Sequence, residues 1–244
     1  MYNLLIALAL GALAFGATAW GFDGVLYGIF PGLLVALGSY AYLAKRTMGN
    51  VQTIMLSAQD HLQKTAQNNR NPKAAQQQMR KAVEILETGR VYERWQFLVK
   101  PQIDGQVGQL YFMSEKFNKS RPFLANAFKK HWTARVMLAV VHYKRKEYDQ
   151  MEEVFEETAQ ANKKEALLWN IYAYCMLKIN KRDEAVKVLS RALEHVPNDE
   201  KTKTNLHALQ NNKKMKMRGW NMMWYQFHLE KPPVQRQNMQ FRRR

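Results

Sequence analysis

The sequence predicts an all-α protein in two parts, a pair of membrane-spanning helices followed by a series of helical hairpins. Three observations predict it. Residues 1–44 contain neither Lys nor Arg, and one acidic residue, Asp23. From 103 to 212, apolar residues recur at helical spacing, with breaks near Asn118, His131, Asn162, Asn180 and Pro197. No strand-like alternation bounded by turn residues persists anywhere in the 244 residues.

The first element to justify is the uncharged head, residues 1–44. Residues 2–20 and 25–44 are each long enough to cross a hydrocarbon core of about 30 Å at about 1.5 Å per residue. The link between them, Gly21-Phe22-Asp23-Gly24, allows only a tight hairpin. Tyr2, Trp20, Tyr40 and Tyr42 stand near the span ends, where amphipathic rings settle. Small residues form a stripe on each span, Ala7, Gly11, Ala14 and Thr18 on the first and Gly28, Gly32, Ala36 and Ser39 on the second. Such spacing lets helix backbones approach closely in lipid, so the stripes are expected to pack the two spans together. Lys45 and Arg46 close the second span, and the positive-inside rule assigns the rest of the chain to the cytoplasm. A cleaved signal peptide ending at Ala17-Thr18-Ala19 is the competing reading; it leaves the body on the same side.

All 37 Lys and Arg lie in 45–244 with 19 acidic residues, so the body carries 37 less 19, or +18. Residues 45–73 are rich in Gln and Asn and are expected to form a helical or partly flexible polar stalk or linker ending at Asn-Asn-Arg-Asn-Pro. Residues 74–89 read as an amphipathic helix with Met79, Val83, Ile85 and Leu86 as its apolar content and Gly89 as its stop. Residues 90–99 continue helically and are expected to stop before Pro101. A helical domain over 74–212 follows from this, with a basic, aromatic segment at 213–244.

Within the domain the clearest periodicity is 34 residues, between 132–165 and 166–199. Ala173 falls on Ala139, Tyr172 on Leu138, Leu189 on Phe155 and Ala192 on Thr158. Trp169, Ala173, Ala185, Leu189, Ala192 and Pro197 have the spacing of the tetratricopeptide repeat (TPR), and Lys181–Ala185 and Lys146–Asp149 match its inter-helix turn. The chain here resembles that family. Phe117, Leu124 and Ala127 occupy equivalent places 31 residues before Tyr148, Phe155 and Thr158, in a more degenerate unit. After Asp199, Asn205 and Leu206 begin a further first helix, whose Thr202, Lys203, His207 and Gln210 suit a solvent-facing cap. The resemblance implies a short right-handed α-solenoid of TPR-like hairpins.

It also implies a function. Such arrays bind peptides or partner helices on the inner faces of their first helices, here Gln109, Met113, Val140, Tyr143, Lys144, Asn170, Tyr174 and Lys178. An extended peptide carrying some negative charge suits this mixture. The expected role is therefore a membrane-anchored adaptor or scaffold for a partner protein, in a cytoplasmic membrane of bacterial type.

The tail offers a second reading. Lys213, Lys214, Lys216, Arg218, Lys231, Arg236, Arg242, Arg243 and Arg244 stand against one acid, Glu230. Trp220, Met223, Trp224 and Phe227 share one face if 219–231 is helical and ends at Pro232. That face either packs onto the end of the array as a final helix or lies on an anionic lipid surface. In the second case Lys213, Lys214, Lys216, Arg218, Trp220, Trp224 and Arg242–Arg244 are the contacts to lipid or to an acidic partner. Clustered cations and rings also suit nucleic acid, but no recognised nucleic-acid module accompanies them. A structural subunit of a larger membrane assembly is the third class.

Catalysis finds little support in the sequence. His61, His131, His142, His195, His207 and His228 include no pair at the spacing that puts two metal ligands on one helix face. Cys175 is alone, without a local His, and suits a small packed thiol. There is no Gly-rich phosphate loop and no nucleophile elbow. No cofactor, metal or small-molecule substrate is expected.

Overall fold

The computed structural model of the protein describes residues 1–22, 24–68 and 72–233, and every regular element among them is helical. Asp23 and Arg242–Arg244 lie outside these residues, as do the three that precede Pro72. The chain divides into two compact units, Met1–Ala134 and Arg135–Arg244.

The first unit opens with α1 (Tyr2–Gly21) and α2 (Val25–Asn68). Both contain stretches long and apolar enough to cross a membrane. They pair through the expected Gly11 of α1 and Gly28, Gly32 and Ala36 of α2, but it is Phe15 and Ala19 of α1, outside the expected stripe, that face Gly28 and Gly32. A methyl group built on Gly11 would lie 2.7 Å from the Ala36 Cβ and 2.8 Å from the Gly32 carbonyl oxygen. One built on Gly32 would lie 2.8 Å from the Phe15 Cβ. The backbones therefore meet where only glycine fits. Outside this seam the two helices present exposed Leu, Ile, Val and Phe side chains, among them Leu5, Leu13, Leu26 and Leu37.

The expected stalk is not a separate element. α2 continues without a break past Lys45, and Met48, Val51, Met55, Ala58 and Leu62 recur on one face at steps of three and four. That face packs on Met79, Ala82, Val83 and Leu86 of α3 (Pro72–Thr88) and on Val99, Ile103, Val107 and Leu110 of α4 (Val99–Met113). The Gln-rich composition of this stretch belongs to its solvent side. The helical continuation expected over 90–99 also differs. A single 3-10 turn (Gly89–Tyr92) and non-helical turns precede α4, which starts at Val99 and contains Pro101 in its first turn. Proline is tolerated there because its missing N–H has no helical partner anyway.

Arg90 ties this turn to the core. Its guanidinium pairs with Glu87, with Glu93 at 2.6 Å and with the nearly buried Asp104 at 2.9 Å. Hydrogen bonding to Glu87 is the main force holding its pKa above the usual arginine range; partial burial opposes this, and Asp104 and Glu93 reinforce it.

The hairpins share one turn. α4 is followed by α5 (Phe117–Ala125), α6 (Trp132–Lys144) by α7 (Tyr148–Ala161), and α8 (Ala166–Lys178) by α9 (Arg182–His195). At the three junctions Glu115, Lys146 and Asn180 adopt φ of 57°, 62° and 63°. Immediately after them, Lys116 N, Glu147 N and Lys181 N donate to carbonyls five residues back, on Tyr111, His142 and Met176, at 2.9–3.0 Å. This is the Schellman closure of a helix, made here without glycine. The first break is thus at 114–116, and Asn118 lies inside α5. α10 (Glu200–Gln210) ends in the same way, with Asn212 at φ 55° and Lys213 N on the Ala208 carbonyl at 2.7 Å. The four left-handed residues are 31, 34 and 32 apart. Among the described residues, only a 3-10 turn and a four-residue helix follow α10.

Within the second unit, the residues that carried the repeat pattern are interior. Trp169, Ala173, Ala185, Leu189 and Ala192 are all buried. Phe155 of α7 stacks on Tyr172 of α8 with centroids 4.8 Å apart. Arg191 of α9 holds Glu156 of α7 by two bonds of 2.8 Å, and this pairing keeps the Glu156 carboxyl below its usual range. α9 ends before Pro197, and Asp199 then caps α10 by accepting from Thr202 N at 2.7 Å.

The glycine seam makes a direct prediction. Gly32→Leu overpacks the α1–α2 contact and costs about 1–3 kcal/mol, lowering the thermal midpoint of the full chain in detergent. Gly38, with no atom within 4 Å of an added Cβ, tolerates the same change.

Candidate protein-binding face

The eight residues expected to line a groove fall in both units. Gln109 and Met113 belong to the first, on α4. Gln109 Nε2 donates to Thr133 Oγ1 at 2.6 Å and lies 3.2 Å from His131 Nε2, while Met113 is exposed at the edge of a cavity of about 280 Å³ with Met55, Leu62 and Leu86. Burial pushes the pKa of His131 down.

In the second unit, Val140, Tyr143 and Lys144 stand on α6, and Asn170, Tyr174 and Lys178 on α8. These six are not an open surface. Val140 and Asn170 are fully buried and Tyr174 is nearly so, whereas Lys144 and Lys178 are exposed. What touches this face is the chain's own segment 215–230, called the strap below. Lys144 Nζ donates to the His228 carbonyl at 2.9 Å. Tyr174 packs edge-on to Trp224 with centroids 4.8 Å apart and donates to Glu230 Oε1 at 2.9 Å. Trp224 Nε1 donates to the other oxygen of Glu230 at 3.3 Å. Lys178 Nζ stands 5.1 Å from the Tyr174 ring centre on which this contact rests. Burial, then the Glu230 carboxylate, raise the Tyr174 phenol above its ordinary pKa.

A line of buried amides holds the other end of the strap. Asn170 Nδ2 donates to Thr202 Oγ1 at 2.7 Å and to the Ala166 carbonyl at 2.8 Å. Its Oδ1 accepts from Asn205 Nδ2 at 2.8 Å. Asn205 Oδ1 in turn accepts from the backbone N–H of Lys216 at 2.7 Å. A buried amide paired to another chain segment's backbone fixes that segment without reading its side chain. Met217, Trp224 and Phe227 then fill the apolar part of the face, each almost wholly removed from solvent.

Three sequence expectations are corrected here. The tail does not form one aromatic helix up to Pro232. It makes a 3-10 turn (Arg218–Trp220), reverses at Asn221 with φ 51°, and forms only the four-residue α11 (Met222–Tyr225). Trp224 is interior and therefore not a lipid contact, and Met223, placed on the same face, is 52 % exposed. Thr202 is not solvent-facing but buried between Asp199 and Asn170, although Lys203, His207 and Gln210 are exposed. Of the expected lipid or acidic contacts, Lys213, Lys214, Lys216 and Arg218 are exposed, and Trp220 is half-buried beneath Lys201, whose Nζ is 4.4 Å from its ring centre. A cavity of about 870 Å³ between α10 and the strap is lined by Lys201, Lys216, Arg218 and Lys231 with Glu200 and Glu230.

Asn205 and Glu230 are the residues sequence reasoning missed as part of this face. Asn205 stands 35 residues after Asn170, one residue off the 34-residue period, so the repeat marks its place only approximately. Glu230 carried no local signal. The Cys175 thiol is buried in α8, and burial pushes its pKa up. Among the described residues no group of His, Cys, Asp and Glu could hold a metal ion. No protein-family model and no curated protein matches the chain.

The strap's anchoring predicts a sharp contrast between neighbours. Trp224→Ala removes a fully buried ring and costs about 3–5 kcal/mol, with residues 213–230 gaining hydrogen exchange first. Met223→Ala, one residue away on the exposed side, stays within about 0.5 kcal/mol. Equal effects would refute the assignment of Trp224 as the anchor.

Proposed function

We propose that the protein is a membrane-anchored adaptor of TPR-like hairpins that holds a partner protein on the cytoplasmic side of a bacterial-type inner membrane. The observation that carries this reading is the manner in which the strap is held. The inner sides of α6, α8 and α10 receive a largely non-helical segment through one backbone amide (Lys216 N on Asn205), one backbone carbonyl (His228 O on Lys144), an aromatic anchor (Trp224 on Tyr174) and a carboxylate (Glu230 on Tyr174). Those are the elements of peptide recognition, and here they are satisfied within the chain. In this reading the strap occupies the face when no partner is present, and a partner's aromatic, acidic segment exchanges with it.

The two apolar helices supply the anchor, and Lys45 and Arg46 the orientation. The repeated Schellman turn and the 34-residue register support the TPR-like reading. A holding rather than a catalytic role agrees with the buried, pKa-raised thiol of Cys175.

The test is crosslinking in native membranes with and without the changes Tyr143→Ala, Tyr174→Ala and Lys178→Ala made together. Partner adducts are expected to disappear, and a synthetic peptide of residues 213–231 in excess is expected to compete for them. An unchanged set of adducts from a variant with an intact helical spectrum would exclude the face as the binding site.

A further inference from the structure

We propose that residues 91–97 form a second membrane contact, a shelf of apolar side chains lying in the headgroup region of an anionic leaflet beside the base of the helical hairpin. This rests on the reading of α1 and α2 as membrane spans.

The segment is tied to the ends of both spans within the first unit. The N-terminal ammonium of Met1 donates to the Arg94 carbonyl, as does Tyr2 N at 2.9 Å, and Asn3 N donates to the Trp95 carbonyl at 3.3 Å. The Tyr2 and Trp95 rings meet edge to face with centroids 5.4 Å apart. Asn3 Nδ2 donates to Thr47 Oγ1 at 2.9 Å and to Gln96 Oε1 at 3.4 Å, and Gln96 Nε2 donates to the Tyr40 hydroxyl at 2.9 Å. If α1 crosses the bilayer, its first residues lie where hydrocarbon meets water. Residues 94–96 lie at the same depth, because backbone bonds hold them there.

The polarity of the segment is inverted for a loop in water. Gln96 is buried inward with Asn3 and Thr47, while Val91, Trp95 and Phe97 turn outward at 66, 40 and 50 % exposure. Apolar and aromatic side chains on the outside of a polar, hydrogen-bonded interior suit an interfacial medium, where aromatic rings are favoured. The charge nearby is net basic. Lys45 and Arg46 beyond the second span, Arg94 within the segment and Lys100 just after it are all exposed, whereas Glu93 belongs to the Arg90 network. Basic residues beside inserted rings favour anionic over zwitterionic lipid. Continuity with the spans and this charge together identify the occupant as the anionic lipid surface rather than a second protein.

The experiment uses the full chain in vesicles, with an environment-sensitive fluorophore on one introduced cysteine; the native Cys175 is buried and does not compete for label. Phe97→Cys reports the shelf, Leu13→Cys the middle of α1, and Lys187→Cys an exposed site on α9. In vesicles of equal phosphatidylcholine and phosphatidylglycerol, the label at 97 is expected to be quenched by headgroup-proximal spin-labelled lipid several-fold more than the label at 187. Replacing phosphatidylglycerol by phosphatidylcholine is expected to lower that quenching. If the label at 13 is quenched by tail-labelled lipid but the label at 97 behaves like that at 187, the shelf is refuted and the spans stand. If the label at 13 is not quenched, the spanning reading itself fails, and the shelf with it. Equal quenching at 97 in both lipid mixtures overturns the anionic preference.

Discussion

Short helices cannot remain folded in water on their own, and the second unit depends on that constraint. Its helices α7 to α10 run 11 to 14 residues, near or below the length at which an isolated helix is marginal. Each is stable only if a neighbour covers its apolar side. Up to α9 this is achieved by pairing, through an identical turn in which a left-handed residue closes one helix and starts the next. The small residues Ala173, Ala185 and Ala192 allow the close approach, and Trp169 with Leu189 fills the space beside them. Among the described residues only the four-residue α11 follows α10, too short to complete a pair, and the strap is where the chain covers what remains.

The covering is polar as well as apolar. Asn170, Thr202 and Asn205 are buried amides and hydroxyls, and burying such groups without partners costs about 1–3 kcal/mol each. They satisfy one another, and the Lys216 backbone provides the last donor. A face built this way retains its requirement for a backbone N–H and an aromatic ring whichever segment supplies them. That requirement links the fold to the adaptor reading, since the surface holding the strap has the chemistry of one that holds a peptide.

In the first unit the governing element is the unbroken run of α2. One helix carries the second apolar stretch, the basic pair Lys45 and Arg46, and the face that nucleates the core with α3 and α4. No flexible joint separates the apolar head from this core. The N-terminus is bound as well, because Met1, Tyr2 and Asn3 are hydrogen-bonded to residues 94–96 and Thr47. Removal of the first nineteen residues by cleavage would leave Thr47 and Gln96 buried without Asn3.

The sequence by itself determined what depends on neighbours within one or two helical turns. The two long apolar helices, their glycine seam, the helix boundaries at 144–148, 178–182 and 195–200, and the hairpin register from Trp169 to Pro197 were all legible, because periodicity and turn chemistry are local properties. Only the tertiary structure decided which faces are covered. Trp224 and Glu230 meet Tyr174 across about fifty residues, Asn205 meets Asn170 across 35, and Asn3 meets Gln96 across 93. No local pattern encodes such pairings. The same limit made 45–73 read as a stalk, since its Gln-rich majority outweighed the single stripe of Met48, Val51, Met55, Ala58 and Leu62 until a partner surface for that stripe was known.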